Sequence, residues 1–490
     1  MGNDFAADEY YSFYTHSLIR GEEAAAGRYR RLWLDAQTDD LPEGLLGDCY
    51  RGRIEKLKGE AVEDLHMDEI IALEEKLLSL RFSYNSLIGG KKYSYRELAS
   101  QLRADKGNTN VSKALVDEAF LLADNGLVEL ILARNRIARE AGFENYWTMI
   151  NGKEASMAAT FLFRMNTFLT THDYCAEKDR AGSKREEKQM LFKERQYEEP
   201  LLLETAVAFF LSLLYSNSAL PKMEIGTRKG SECPAGPPGV TPMAYIGKNS
   251  EKGGGCHKLN IDLPFVRFGT GVKKDVIFPE NLGPLFHELT HLLHFASVDQ
   301  RGGWAFPPEL AAGNLFYEAE ALCFQNIALA DYKGEPLRFD RPGFKDLIYV
   351  AESERLLYGL DLSSADDMKA FLKKRMVSFY PDGGFSRSPL GASHLLKSDT
   401  AGRYWNYPGA AFLGIQKSRG VCRGQTRISP PEYWPAGNQV SWEQSSEELL
   451  SDITLEDFSM LSDDTPFTLE FQRRDLSDIR KEICEAGIIF

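Results

Sequence analysis

Between Leu285 and Phe295 the chain reads Leu-Phe-His-Glu-Leu-Thr-His-Leu-Leu-His-Phe, so His287, Glu288, Thr290, His291 and His294 sit among six apolar side chains. A stretch this apolar belongs in a buried helix. Burying imidazoles and a carboxylate is costly unless each finds a partner. The fold must therefore place this helix in a core and set beside it groups that satisfy His287, Glu288 and His291. Three of the eight histidines of the chain fall in these few residues.

Residues four apart project from one face of an α-helix, so His287 and His291 can reach a single ion through imidazole nitrogens at about 2.0 to 2.1 Å. Glu288 is displaced by about 100° around the axis, where its carboxylate can take a proton from a water activated by that ion. The pattern His-Glu-x-x-His is the one zinc peptidases use, with one Zn2+ per chain. The plainer alternative is a hydrogen-bonded core pair of histidines. A catalytic zinc site takes a third protein ligand and leaves a fourth position to water. Glu309, Glu318 and Glu320 are the candidates downstream, and spacing alone does not choose among them. Glu318, within the apolar run Asn314 to Gln325, is preferred, with orientation of a histidine from outside as its plainer role.

The rest of the sequence frames this segment. From Asp8 to about Tyr215 apolar residues recur three and four apart, notably in Glu69–Leu80, Ser112–Ala123 and Leu127–Ala138, which predicts helices. Turn chemistry at Gly89-Gly90, Asp105 to Asn108 and Asp124-Asn125-Gly126 separates them. From Pro221 to Asp275 the texture changes to Gly, Pro and short β-favouring runs at Val240–Ile246 and Lys258–Val266, which predicts a small sheet. Helices resume after Pro279 and charged helices end the chain. The organisation expected is a helical part over residues 1–220 and a catalytic part over 221–490. The latter holds the sheet at 221–275 and zinc-binding helices at about 280–330, the two parts forming one continuous body.

Composition narrows the partners. A net charge of −14 over 490 residues opposes polyanions, because nucleic-acid binding draws its affinity from cationic side chains. No nucleic acid and no membrane is expected. The longest apolar stretch, Leu201 to Tyr215, holds Glu204 and falls short of the roughly 18 to 20 residues of a membrane span. Seven cysteines without a CxxC pair fit neither a disulfide framework nor a cysteine zinc site, and the first residues carry no export pattern. A reducing, cytoplasmic setting is expected.

Around the motif, Phe286-His287-Glu288-Leu289-Thr290-His291-Leu292-Leu293-His294 with Glu318, 31 residues after His287, resembles the thimet oligopeptidase and oligoendopeptidase F family of zinc peptidases, and more distantly the angiotensin-converting enzymes. Thr290 stands where that family usually has glycine, and the gap to Glu318 is slightly long. The run Arg134 to Tyr146 is similar to the family's arginine-rich helix ending in a Gly-Phe-x-x-Tyr turn. His394 with Tyr404-Trp405-Asn406-Tyr407 is similar to its histidine followed by a tyrosine pair. The resemblance implies a mainly α, two-lobed, zincin-type fold with a small sheet beside the active-site helix and a deep central cleft. It also implies short peptides as substrates, Tyr407 as hydrogen-bond donor to the oxyanion, and His394 and Tyr404 as holders of the substrate backbone. Core aromatics are the plainer reading of Tyr404, Trp405 and Tyr407. A carboxypeptidase or dipeptidyl carboxypeptidase is the alternative activity, which requires a cationic group for the substrate carboxylate. An inactive peptide-binding relative is the alternative outside enzymes.

Overall fold

A computed structural model describes residues 66–104, 108–171, 201–214, 223–228, 244–249, 256–262, 266–267, 273–274, 276–277, 282–300, 314–333, 337, 341–380, 394–397, 401–422 and 448–454. The sequence readings for residues 1–65, for Glu309 and for the terminal charged helices lie outside them. In chain order the elements are α1 (Met67–Ser83), β1 (Asn85–Ile88), β2 (Lys91–Ser94), α2 (Tyr95–Ala104), α3 (Thr109–Leu122), α4 (Val128–Glu140), α5 (Tyr146–Asn151) and α6 (Ala155–Thr171). There follow β3 (Leu201–Leu202), α7 (Leu203–Leu214), β4 (Met223–Arg228), β5 (Ala244–Asn249), β6 (Cys256–Asp262), β7 (Val266–Arg267), β8 (Lys273–Lys274) and β9 (Val276–Ile277). Last come α8 (Leu282–Gln300), α9 (Asn314–Lys333), α10 (Arg341–Gly359), α11 (Ala365–Phe379) and α12 (Asn406–Cys422). The described chain is mainly helical, and none of its helices is long and apolar enough to cross a membrane.

Two compact units are each assembled from three stretches of chain. The first comprises Met1–Tyr174, Asp340–Gly409 and Glu447–Leu455, the second Cys175–Phe339, Ala410–Ser446 and Glu456–Phe490. Helix α12 starts in the first and continues in the second.

In the first unit, the three helices expected from periodicity form as α1, α3 and α4. Asn108 caps α3 by accepting from the Val111 N–H at 3.2 Å, satisfying one of the donors a helix start leaves open. The Asp124-Asn125-Gly126 break is narrower than a loop. Residues Ala123–Leu127 form a π-helical kink between α3 and α4, with Gly126 at φ 129°. Gly89-Gly90, both at positive φ, close a hairpin in which β1 and β2 pair antiparallel from Asn85↔Ser94 to Ile88↔Lys91. Sequence periodicity did not anticipate that hairpin, whose short strands carry Lys91 and Lys92 in place of an apolar alternation.

Buried charges tie this unit together. Arg81 and Glu118 are both fully buried and meet at 2.7 Å. Arg134 of α4, also fully buried, pairs with Glu74 at 2.6 Å and donates to the Tyr358 hydroxyl at 3.0 Å and the Leu395 carbonyl at 2.7 Å. The neighbouring Asn135 accepts from the Tyr146 N–H at 2.9 Å and donates to the Tyr358 carbonyl at 3.0 Å. The arginine-rich helix is thus a fastening between segments far apart in sequence.

In the second unit, α7 is apolar on nearly every side and lies in the core with α8 and α9. Leu203, Val207, Phe210, Leu211 and Leu214 pack with Ile277, Leu285, Phe286, Leu289, Leu293, Phe324 and Ile327. The stretch read as a core helix is one. Strand β6 lies between β4, with which it runs parallel, and β5, with which it runs antiparallel. This three-stranded sheet packs on α8 through β6 and β4, so a small sheet does stand beside the helix that carries His287 and His291.

Candidate metal centre

Helix α8 begins with Gly283 and Pro284 in its first turn, where proline's missing N–H would have had no intrahelical partner. Leu285, Phe286, Leu289 and Leu293 bury its apolar face, and Phe286 stacks on Phe210 of α7 with ring centroids 5.0 Å apart and planes at 9°. The opposite side presents His287 and His291, their rings edge to face at 4.7 Å. Thr290 is buried, and its hydroxyl donates to the Phe286 carbonyl at 2.8 Å. The hydroxyl is thereby satisfied inside the helix.

Helix α9 packs along α8 and supplies the third group. His287 Nε2 lies 3.1 Å from Glu318 Oε2 and 3.1 Å from His291 Nε2, and His291 Nε2 lies 3.7 Å from Glu318 Oε1. One ligand atom from each of the three residues falls within 4.8 Å of the others. A helix turns residues two apart by about 200°, so Glu318 and Glu320 cannot face the same neighbour. The fold gives Glu318 to the histidines and turns Glu320 toward Lys417.

The donor set fits a metal. The Nε2 atom of His287 faces both a carboxylate oxygen and another imidazole nitrogen, and a single Nε2–H can point at only one of them. A cation in their midst satisfies all three at once. Two imidazole nitrogens with one carboxylate oxygen are the ligands catalytic zinc takes.

Electrostatics at the centre follow from burial. Desolvation pulls the His287 pKa down, but the hydrogen bond and charge of Glu318, helped by Glu288 and by a hydrogen bond with Gln325, outweigh it and the net shift is upward. Burial pushes the Glu288 carboxyl up to about 7, with His287 opposing and Glu318 adding. A carboxyl poised near neutrality can both accept and return a proton. Gln325 was not singled out by sequence reasoning. Its distance of seven residues from Glu318, two helical turns, is the signal that places both on one face of α9.

The remaining expected site residues lie in the first unit. His394 opens a single 3-10 turn, His394–Leu396, and its side chain is outside the description. Tyr404 is 1 % exposed and Tyr407 40 % exposed, with ring centroids 5.2 Å apart. Their segment is gripped from behind. Buried Glu354 accepts the N–H groups of Gly402 at 2.8 Å and Tyr404 at 3.2 Å, and Asn151 accepts from Trp405 Nε1 at 2.5 Å and donates to the Gly402 carbonyl at 2.9 Å. Gly402, at φ 77°, lets the chain pass against Ile150, where a Cβ would meet its side chain at 3.2 Å.

No family model and no curated protein matches this sequence. Among solved structures, the chain is similar to a 3.1 Å X-ray structure of a protein assigned as oligoendopeptidase F, at 13 % identity, with 99 % of this chain and 83 % of that chain covered and a TM-score of 0.42. Likeness at that level assigns neither family nor site, and the functional reading rests on the residues just described.

Proposed function

We propose that this chain is a zinc-dependent peptidase that hydrolyses peptide bonds within short peptides, with His287, His291 and Glu318 holding one Zn2+. The observation that carries the reading is the convergence of these three side chains beside a half-buried Glu288 whose carboxyl is raised toward neutrality. The likeness of the motif, of Glu318 and of the tyrosine segment to oligopeptidases narrows the substrate to short peptides.

Zinc in such a site acts as a Lewis acid that polarises a carbonyl and lowers the pKa of a water beside it. The protein's own part is to place and move protons. The Glu288 carboxylate takes the proton of the attacking water and delivers it to the leaving amine nitrogen. Its apolar surroundings keep that carboxyl basic enough for the first step and acidic enough for the second. Glu318 would supply the carboxylate oxygen of the ligand set, beside the imidazole nitrogens of His287 and His291.

The test combines zinc quantification of purified protein with hydrolysis of a quenched peptide panel. About one zinc per chain is expected, together with a loss of turnover of at least a hundredfold in Glu288→Ala. Protein without zinc, or a Glu288→Ala variant as active as wild type, sinks the reading. Peptides blocked at both ends are expected to be cleaved; cleavage of unblocked peptides alone would make the enzyme an exopeptidase.

A further inference from the structure

Glu320, turned away from the histidines, is buried against Lys417 of α12, Oε1 to Nζ 3.8 Å, with side chains only 5 % and 7 % exposed. Gly414 and Ser418 lie on the same face of α12, three residues before Lys417 and one after. A Cβ on Gly414 would stand 2.9 Å from Leu322 Cβ, 3.0 Å from the Ala319 carbonyl oxygen and 3.3 Å from the Cys323 nitrogen. The α9 and α12 backbones therefore meet where any side chain would force them apart. Ser418 Oγ lies 3.2 Å from the Cys323 carbonyl oxygen across this crossing and 2.6 Å from that of Gly414 within its own helix. All of these contacts fall within the five residues of α9 that follow Glu318, Ala319 to Cys323.

A buried ion pair is a weak source of stability, since apolar residues of equal volume commonly do as well or better. Together with a glycine contact, however, it fixes two things that apolar packing leaves softer: the separation of the helices and the rotation of α9 about its axis. Rotation matters here. At a side-chain radius of about 5 to 6 Å, a turn of about 20° moves a carboxylate by about 2 Å, whereas metal–ligand distances hold to about 0.2 Å.

We propose that α12 sets the rotation of α9 through Gly414 and the Lys417–Glu320 pair, and so holds the Glu318 carboxylate on His287 and His291. Gly414, Lys417 and Glu320 are then positioning residues for the metal centre. The proposal rests on reading His287, His291 and Glu318 as that centre.

Zinc affinity, measured by competition with a chromophoric chelator, and thermal unfolding of the metal-free proteins test it on the full chain. The variants are Gly414→Ala and the double substitution Glu320→Leu with Lys417→Met. Each is expected to weaken zinc binding tenfold or more, and the double variant to do so while its metal-free form melts no lower than wild type. Variants that bind zinc within twofold of wild type and lose only thermal stability overturn the proposal and leave the crossing as packing. If Gly414→Ala does not fold, the double variant decides. A wild-type chain that binds no zinc overturns the metal reading, and with it the proposal, whereas intact wild-type binding with unaffected variants overturns the proposal alone.

Discussion

Gln325 and Glu354 each act through a neighbour, and each predicts a separable effect. Gln325 hydrogen-bonds the His287 ring from α9, and space for its amide is left by Gly283, where a Cβ would come within 3.3 Å of Gln325 Nε2. Partners of this kind commonly contribute about 10- to 100-fold in metal affinity. Gln325→Leu is expected to weaken zinc binding by that factor and Gln325→Glu to retain it; equal affinities for Leu and wild type would rule the role out. Burial pushes the Glu354 carboxyl up to about 7, against the hydrogen bonds from Gly402 and Tyr404 and the charge of Arg134. A carboxyl raised on folding binds its proton more tightly in the folded state. Its cost to stability is therefore full above about pH 7 and relieved as pH falls toward the ordinary value. Urea unfolding should show Glu354→Gln gaining on wild type between pH 5 and pH 8, by on the order of 2 to 3 kcal/mol. An unchanged difference between the two pH values would refute the assignment.

Elements differ in how plainly their sequences announce them. Helix α8 was legible because its apolar residues repeat at helical spacing and its histidines are four apart. The same logic favoured a carboxylate on α9, although only packing shows which of Glu318 and Glu320 turns inward. Strands β5 and β6 were read within a few residues, since their β-favouring runs stand between glycines and prolines. The hairpin of β1 and β2 was not, because its residues lack alternation and its two glycines read equally well as a break between helices. The α3–α4 junction was placed correctly but misread in kind: Gly126 takes a backbone conformation that lets the helix resume after a kink. Contacts made across helices, such as Lys417 with Glu320, leave no mark in a single sequence. At the start of α3, Asn108→Ala removes a cap worth about 1 kcal/mol, and a lowered unfolding midpoint is the expected readout; an unchanged midpoint would show the Val111 N–H satisfied otherwise.

The molecule as a whole is organised by returns of the chain. The first unit needs residues 340–409 and 447–455. Arg134 meets Tyr358 and Leu395 across 224 and 261 positions, and Arg164 donates to the Ile453 carbonyl across 289. A fragment ending at residue 339 lacks all three partners. Limited proteolysis is expected to cut residues 66–171 faster in that fragment than in the full chain, and equal protection would show that the early helices close on their own. The buried guanidinium of Arg134 also has a temporal meaning. During synthesis at about 5 to 20 residues per second, its distant partners emerge on the order of ten seconds or more after it does. For that interval the guanidinium lacks those two partners, and helix α4 is locked only after the segments that close over it have left the ribosome.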